Sequence, residues 1–468
     1  MQSWGKRILL VGLVFVAVWL LVIVYWRTSM HMPTLADVLL YLGFAPAALL
    51  SSAWLIRKMS GGLVAAGASA NTASDTNAHA KSDANDQSGQ MARNYTSNMV
   101  SGCVITRYGH SVSDLIDAVN ANQAGFDLDT ELQDGNGYPV LSGRIVDLQV
   151  AEIFNRFKLW ETINGLPENQ WEREDERTIV LAHNVFAELS RTMLQHPQFS
   201  DMKPHAGAKR DDELPTLYLA AVWPNHWIAS QKQSVAGWFA DLLGQQGWPT
   251  EKIVIYRFNA STPSNPYTML DHLNVQMHRP DAAGLYIYLS GQSFIGEQAN
   301  AQPRANGWIP GEAAAGMMLT NNYWAEKLAM QPAVGVHRVA QHRLDQAAGD
   351  SGKIDPDRLV IVIKEALQFA AIDAGQVAAV CADADTRANR AGELFEALNV
   401  LMPKMDVDAD CFRVGAACGA IGPVAGLIAL LIARQHVIDR GGHVLCVSNN
   451  DPSERTALIL DVAGRVSE

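Results

Sequence analysis

Leu217-Tyr218-Leu219-Ala220-Ala221-Val222-Trp223 is the stretch from which the fold class can be read. This apolar run follows Pro215, and a segment with helix-like apolar spacing, Val235 to Leu243, comes after it. Two further short apolar runs follow, Ile253 to Phe258 and Leu285 to Leu289. Continuous apolar runs of strand length separated by helical spacing indicate buried strands alternating with helices, and so a layered α/β arrangement. The tail repeats the pattern. Helices are expected around Leu359–Ala371, Ala388–Val400 and Gly419–Arg434, with strands at Val377–Cys381, Val444–Ser448 and Thr456–Val462.

Upstream of Pro215 the signals are mixed. Val140-Leu141 and Ile145-Val146-Asp147-Leu148 are short apolar runs, a helix is expected within Thr178 to Leu194, and Asp134-Gly135-Asn136-Gly137-Tyr138-Pro139 is rich in turn formers. From Ser60 to Thr96 the composition shifts to Ala, Ser, Asn, Asp and Gly. Such a segment buries too little apolar surface to offset its ordering entropy, so residues 60–96 read as a flexible linker with a reach of roughly 30 to 36 Å.

The first 59 residues differ again. Ile8 to Trp26 is an uninterrupted apolar run whose helix would extend roughly 28 Å, the thickness of a hydrocarbon core. It ends in Tyr25-Trp26-Arg27 rather than at a small-residue cleavage site, which argues against a removable signal peptide. A second apolar stretch, Leu39 to Ile56, carries Gly43 and Pro46, which membrane helices tolerate. The expectation is a two-helix transmembrane hairpin, residues 8–26 and 39–56. Lys6, Arg7, Arg57 and Lys58 flank it, so both ends should face the cytoplasm. The 468-residue chain then divides into anchor, linker, and two folded halves at 97–345 and 346–468.

Charge and cysteine usage narrow the chemistry. A net charge of -12 with no dense Lys/Arg run excludes a phosphate backbone as the natural partner. The five cysteines, Cys103, Cys381, Cys411, Cys418 and Cys446, match neither a zinc ribbon nor a disulfide framework and fit a reducing compartment. Cys446, inside Val444-Leu445-Cys446-Val447, reads as a small buried hydrophobe. Gly291-Gln292-Ser293-Phe294-Ile295-Gly296 misses the serine-hydrolase elbow by one residue and reads as a strand-end turn. Asp406, Asp408 and Asp410 lack the glycine and terminal glutamate of a calcium loop. His337 and His342 lack the spacing and glutamate of a zinc helix. No catalytic, cofactor-binding or metal-binding residue is assigned, and no cofactor is expected.

Three segments carry a family resemblance. Gly307-Trp308-Ile309-Pro310-Gly311-Glu312-Ala313-Ala314-Ala315-Gly316-Met317-Met318-Leu319 resembles the glycine-glutamate-alanine signature of β-ketoacyl synthases, members of the thiolase superfamily. Ala379-Val380-Cys381-Ala382-Asp383-Ala384-Asp385-Thr386 looks like the segment carrying that family's first catalytic histidine, with Asp383 in its place. Gly415-Ala416-Ala417-Cys418-Gly419-Ala420-Ile421-Gly422 is similar to the segment with the second, and Ala416 occupies that position. The closing Val444 to Asn449 hairpin also fits. The resemblance covers about Leu285 to Val462 and implies a thiolase-like layered fold of two similar βαβαβ halves.

It does not imply the reaction. Claisen condensation needs a thiolate to carry the acyl group and imidazole-like groups to stabilise developing charge. No cysteine lies between Cys103 and Cys381, the region where a synthase places its nucleophile on a strand-to-helix elbow. The expectation is a scaffold without condensing activity. The overall organisation, together with Gly137-Tyr138-Pro139-Val140 ahead of Gly143-Arg144 and the Ile309-Pro310-Gly311-Glu312 segment, also resembles membrane-anchored adaptors of type VI secretion lipase effectors. That resemblance implies an inner-membrane protein whose cytoplasmic domain binds a phospholipase effector and presents it to a secretion spike protein. The alternative is a membrane-linked acyltransferase or acyl-thioester hydrolase with a relocated nucleophile. A homodimer formed through a sheet edge is a third possibility.

Overall fold

The computed structural model describes residues 95–463 except 122, 124, 201–213, 259–264, 298–306 and 350–351. The expected transmembrane hairpin, 8–26 and 39–56, and all of the 60–96 linker but its last two residues lie outside the described residues. Among the described residues no helix is long and apolar enough to cross a membrane.

The chain from Tyr95 onward builds one 11-stranded sheet that repeats a single topology. The first repeat contains β1 (Ser97–Ile105), β4 (Thr216–Val222), β5 (Ile253–Ile255), β6 (Gly284–Ser293) and β7 (Glu312–Thr320), in spatial order β5-β4-β6-β7-β1. The second contains β8 (Val334–Val336) with β9 (Ala340–Arg343), then β10 (Val377–Ala382), β11 (Cys411–Arg413), β12 (His443–Ser448) and β13 (Glu454–Val462), in order β11-β10-β12-β13-β8. Each repeat therefore places its strands as third, second, fourth, fifth, first. In each, the second strand is parallel to the third and fourth, and the fifth runs antiparallel to its neighbours. Antiparallel pairing of β1 with β8 joins the two. Because β8 and β9 both pair with β13, the second repeat begins at Val334, ahead of the division read from sequence at 345/346. A separate two-stranded ribbon, β2 (Asp127–Gln133) with β3 (Pro139–Ser142), is built around the expected turn at 134–139.

Strand alternation sorts side chains into three cores. Along β6, Tyr286 and Tyr288 point into a central core, while Leu285, Ile287 and Leu289 point to an outer one. The central core packs α5 (Pro266–Met277) and α9 (Val424–Arg440), with α1 (Val112–Asn120), against the inner faces of both repeats. The outer core of the first repeat lies under α2 (Val150–Ile163), α3 (Arg173–Leu194) and α4 (Ala229–Gln245), and Trp324 of the short α6 (Asn322–Lys327) joins it. That of the second lies under α7 (Asp357–Phe369) and α8 (Ala388–Leu401). Every residue of α9 from Val424 to Ala433 is buried, as expected for a helix apolar on all sides. The small residues of β7 have a packing reason: a Cβ on Gly316 would stand 2.8 Å from side-chain carbons of both Val185 and Leu189 of α3.

One helix boundary corrects the sequence reading. The expected helix at Gly419–Arg434 is instead a short helix, Val414–Cys418, a break, and α9 beginning at Val424. Gly419 (φ 79°) and Gly422 (φ 55°) adopt left-handed backbone in the break, which an apolar-periodicity reading does not register.

Candidate functional site

The glycine-containing motifs meet at one junction. Gly143 N donates to Pro310 O at 2.8 Å, Ala420 N to Ile309 O at 2.8 Å, and Gly311 N to Ala420 O at 3.1 Å. The chains approach so closely that a Cβ on Gly311 would lie 2.2 Å from the Cys418 carbonyl oxygen, and one on Gly143 2.5 Å from the same atom. Only glycine allows that approach. Beside the junction, Glu312 is buried and accepts from both Nε and Nη2 of Arg177, from Ile145 N at 2.7 Å and from Ser293 Oγ at 2.9 Å. Ser293, the last residue of β6, is thus a buried partner of Glu312 and presents no hydrolase elbow. Arg144 pairs with the buried Asp129, whose carboxyl is held well below the usual range by hydrogen bonds from Arg144, Ser142 and two backbone amides, against the opposing effect of burial.

A second cluster forms at the carboxyl ends of the parallel strands, where open α/β sheets bind ligands. Asp383 follows β10 and accepts from Ser448 Oγ at 2.6 Å, Asn449 N at 2.9 Å and Asn450 N at 3.2 Å. Asn265 is the N-cap of α5, accepting from the amide of Tyr267, and its Nδ2 donates to Ser448 Oγ at 3.4 Å. Asn265, Asp383, Ser448 and Asn449 are all buried, so the cluster is a closed polar plug. Burial pushes the Asp383 carboxyl up to about 6, against the three hydrogen bonds it accepts. Ala416 is not part of this plug. It lines a separate cavity of about 340 Å³ with Cys411, Arg413 and His436.

The two positions that the resemblance aligns with the family's histidines therefore divide: Asp383 joins the β12 hairpin, and Ala416 lines the other cavity. Asn265-Pro266 is an N-cap followed by proline at the first helical position, a pattern that marks a helix start but gives no sign of the plug. None of the five thiols is activated. Burial pushes Cys103, Cys411 and Cys418 up to about 12 and holds Cys381 and Cys446 well above the ordinary thiol value, whereas nucleophilic attack needs thiolate. His337 and His342 tie β13 and α7 to the sheet through Asp461 (3.1 Å) and Glu365 (3.0 Å).

A crevice lies at the carboxyl ends of the paired strands β4 and β5. The connection from β4 leads to α4 on the outer face and that from β5 to α5 on the inner face, which makes a crevice at their carboxyl ends. A cavity of about 530 Å³ occupies it, walled by Trp223, Phe239, Tyr256, Phe258 and Leu289, with Lys232 and Arg257 at its edge. Neither cation forms an ion pair among the described residues.

No protein-family model matches the chain, and no curated protein does. Solved structures do. The ishigamide ketosynthase/chain length factor superposes with a TM-score of 0.52 at 13% identity, covering 79% of this chain and 100% of that one. The oxazolomycin ketosynthase domain of Streptomyces albus gives 0.55 at 11% identity over 79% of this chain and 74% of that one. The ketosynthase from module 6 of the Bacillus subtilis bacillaene synthase gives 0.55 at 10% identity, with 78% and 70% covered. The fold is that of ketosynthase-like, thiolase-type domains.

Proposed function

We propose that this chain is a membrane-anchored, non-catalytic adaptor that binds a lipase effector of a type VI secretion system in the cytoplasm and helps load it onto the secretion apparatus. One observation carries the non-catalytic part: Asp383, at the position where the synthase resemblance calls for its first imidazole, is a buried carboxyl that accepts from Ser448, which accepts in turn from Asn265. A ketosynthase-like frame without reactive groups retains shape, and shape serves binding. The apolar runs at 8–26 and 39–56 motivate the anchor, and the Gly137–Val140, Gly143-Arg144 and Ile309–Glu312 motifs motivate the effector. Affinity purification of the full chain from its native host, followed by mass spectrometry, should recover a lipase and a spike protein, and deletion should stop export of that lipase. Unchanged export with no lipase recovered would end this reading. A C-terminal reporter active only in the periplasm would overturn the cytoplasmic placement.

A second reading is acyl transfer or acyl-thioester hydrolysis by a relocated nucleophile, for which the mostly apolar 530 Å³ cavity offers room for an acyl chain, although no serine or cysteine is among its lining residues. It requires that a thioester probe acylate a serine or cysteine of the purified protein; no labelled residue in intact-mass spectra would exclude it.

A further inference from the structure

Two arginines are buried on the outer face of the second repeat. Arg390 of α8 and Arg455 of β13 are both 0% exposed. Arg455 Nε donates to Glu393 Oε1 at 2.6 Å, and its Nη1 donates to the carbonyl oxygens of Asp451 and Glu454. Among the described residues its Nη2 has no partner. Arg390 donates through Nη2 to Ala348 O at 3.2 Å, and its Nε and Nη1 have no partner among the described residues.

Both arginines neighbour Glu393. Glu393, three residues from Arg390 on α8, takes Arg455 and also accepts from Asn449 Nδ2, which donates to the Arg390 carbonyl as well. Arg455 and Arg387 depress the Arg390 pKa, after burial itself, while Glu393 and Asp385 act the other way. Asp385 is committed to Arg387.

A strap closes over the cluster. Leu344 N and Ala348 N donate to the carbonyls of Ser453 and Pro452, each at 2.7 Å, and Asn389 Nδ2 donates to Gly349 O at 3.0 Å. Buried guanidinium donors left without acceptors are strongly unfavourable, and native interiors satisfy such donors with water or an ion.

We propose that the strap 344–349 and the turn 449–454 enclose a small inorganic anion of the halide class, held by Arg390 Nε and Nη1 and Arg455 Nη2. The anion is structural. It accepts from these donors and fastens the strap to α8 next to the hairpin that carries Asp383.

The test uses the full chain in detergent and does not depend on the adaptor reading. Thermal unfolding is followed in sodium chloride and in sodium gluconate at equal ionic strength. Above the dissociation constant of the site, each tenfold rise in chloride should lower the unfolding constant about tenfold, with no such effect of gluconate. Arg390→Met should abolish the chloride dependence whatever its own stability. Crystals of the unsubstituted chain grown in sodium bromide should show an anomalous peak between Arg390 and Arg455, which keeps the proposal testable if the variant fails to fold. Equal response to both salts, or bromide-containing crystals with only water-like density there, would overturn it.

Discussion

Replacing Arg177 with methionine tests the glutamate of the β7 motif directly. Glu312 is 1% exposed, and Arg177 supplies two of its four donors; Ile145 N and Ser293 Oγ supply the others. Methionine keeps the aliphatic stem but leaves a buried carboxylate held by two neutral donors. Breaking one side of a buried, bidentate pair costs about 3–5 kcal/mol. The loss should exceed that of any exposed pair in the chain, such as Arg279–Asp281, which is worth at most about 1 kcal/mol. The assay is urea unfolding with refolding verified, run on Arg177→Met, Glu312→Leu and the double variant. The double variant should fall short of the summed single losses by about 0.5–3 kcal/mol, because neither partner is then left as an unpaired charge. A loss below about 1 kcal/mol for Arg177→Met, or strict additivity, would refute the claim that this pair fixes the entry to β7.

Asp383 should give a pH signature. Its folded pKa, about 6, lies above the ordinary carboxylate value of 3.8, so the folded state binds the proton more tightly and stability falls as pH rises from about 4 through 6. The slope corresponds to roughly 3 kcal/mol in all, and Asp383→Asn should flatten the stability profile in that window. Gly311→Ala forces a Cβ to 2.2 Å from a backbone oxygen and should cost about 1–3 kcal/mol or more, read as a shift in the urea midpoint. Native protein at pH 7.5 should resist iodoacetamide at all five cysteines, with full labelling in denaturant; rapid native labelling at any of them would contradict the raised thiol pKa values.

The sequence patterns that proved legible were those with simple periods. The runs Leu217–Trp223, Val377–Cys381 and Val444–Ser448 are mostly apolar because nearly all of their side chains are covered on both faces of the sheet, and they are readable for that reason. The start of the second repeat was not: Val334–Val336 and Ala340–Arg343 are short, separated by His337-Arg338-Val339, and take their strand character from pairing with β13. The role of Glu312 was also hidden, since its partner Arg177 lies 135 positions away. The motif at Gly415–Gly422 was visible as a pattern. Its meaning, a carbonyl placed against two other glycines, depends on segments from three parts of the chain. The Arg390–Arg455 cluster left no mark, because isolated arginines in a sequence read as surface.

The position of β1 has a consequence for biosynthesis. This strand is the first of the sheet to be synthesised, yet its neighbours are β7 and β8, the nearer of which begins about 200 residues later. At ribosomal elongation rates of about 5–20 residues per second, β1 waits roughly 10–40 s with both edges unpaired. An apolar strand exposed for that long is an aggregation hazard. Nascent chains stalled before Glu312 should therefore be the species most dependent on chaperone holding, and those stalled after Val336 much less so.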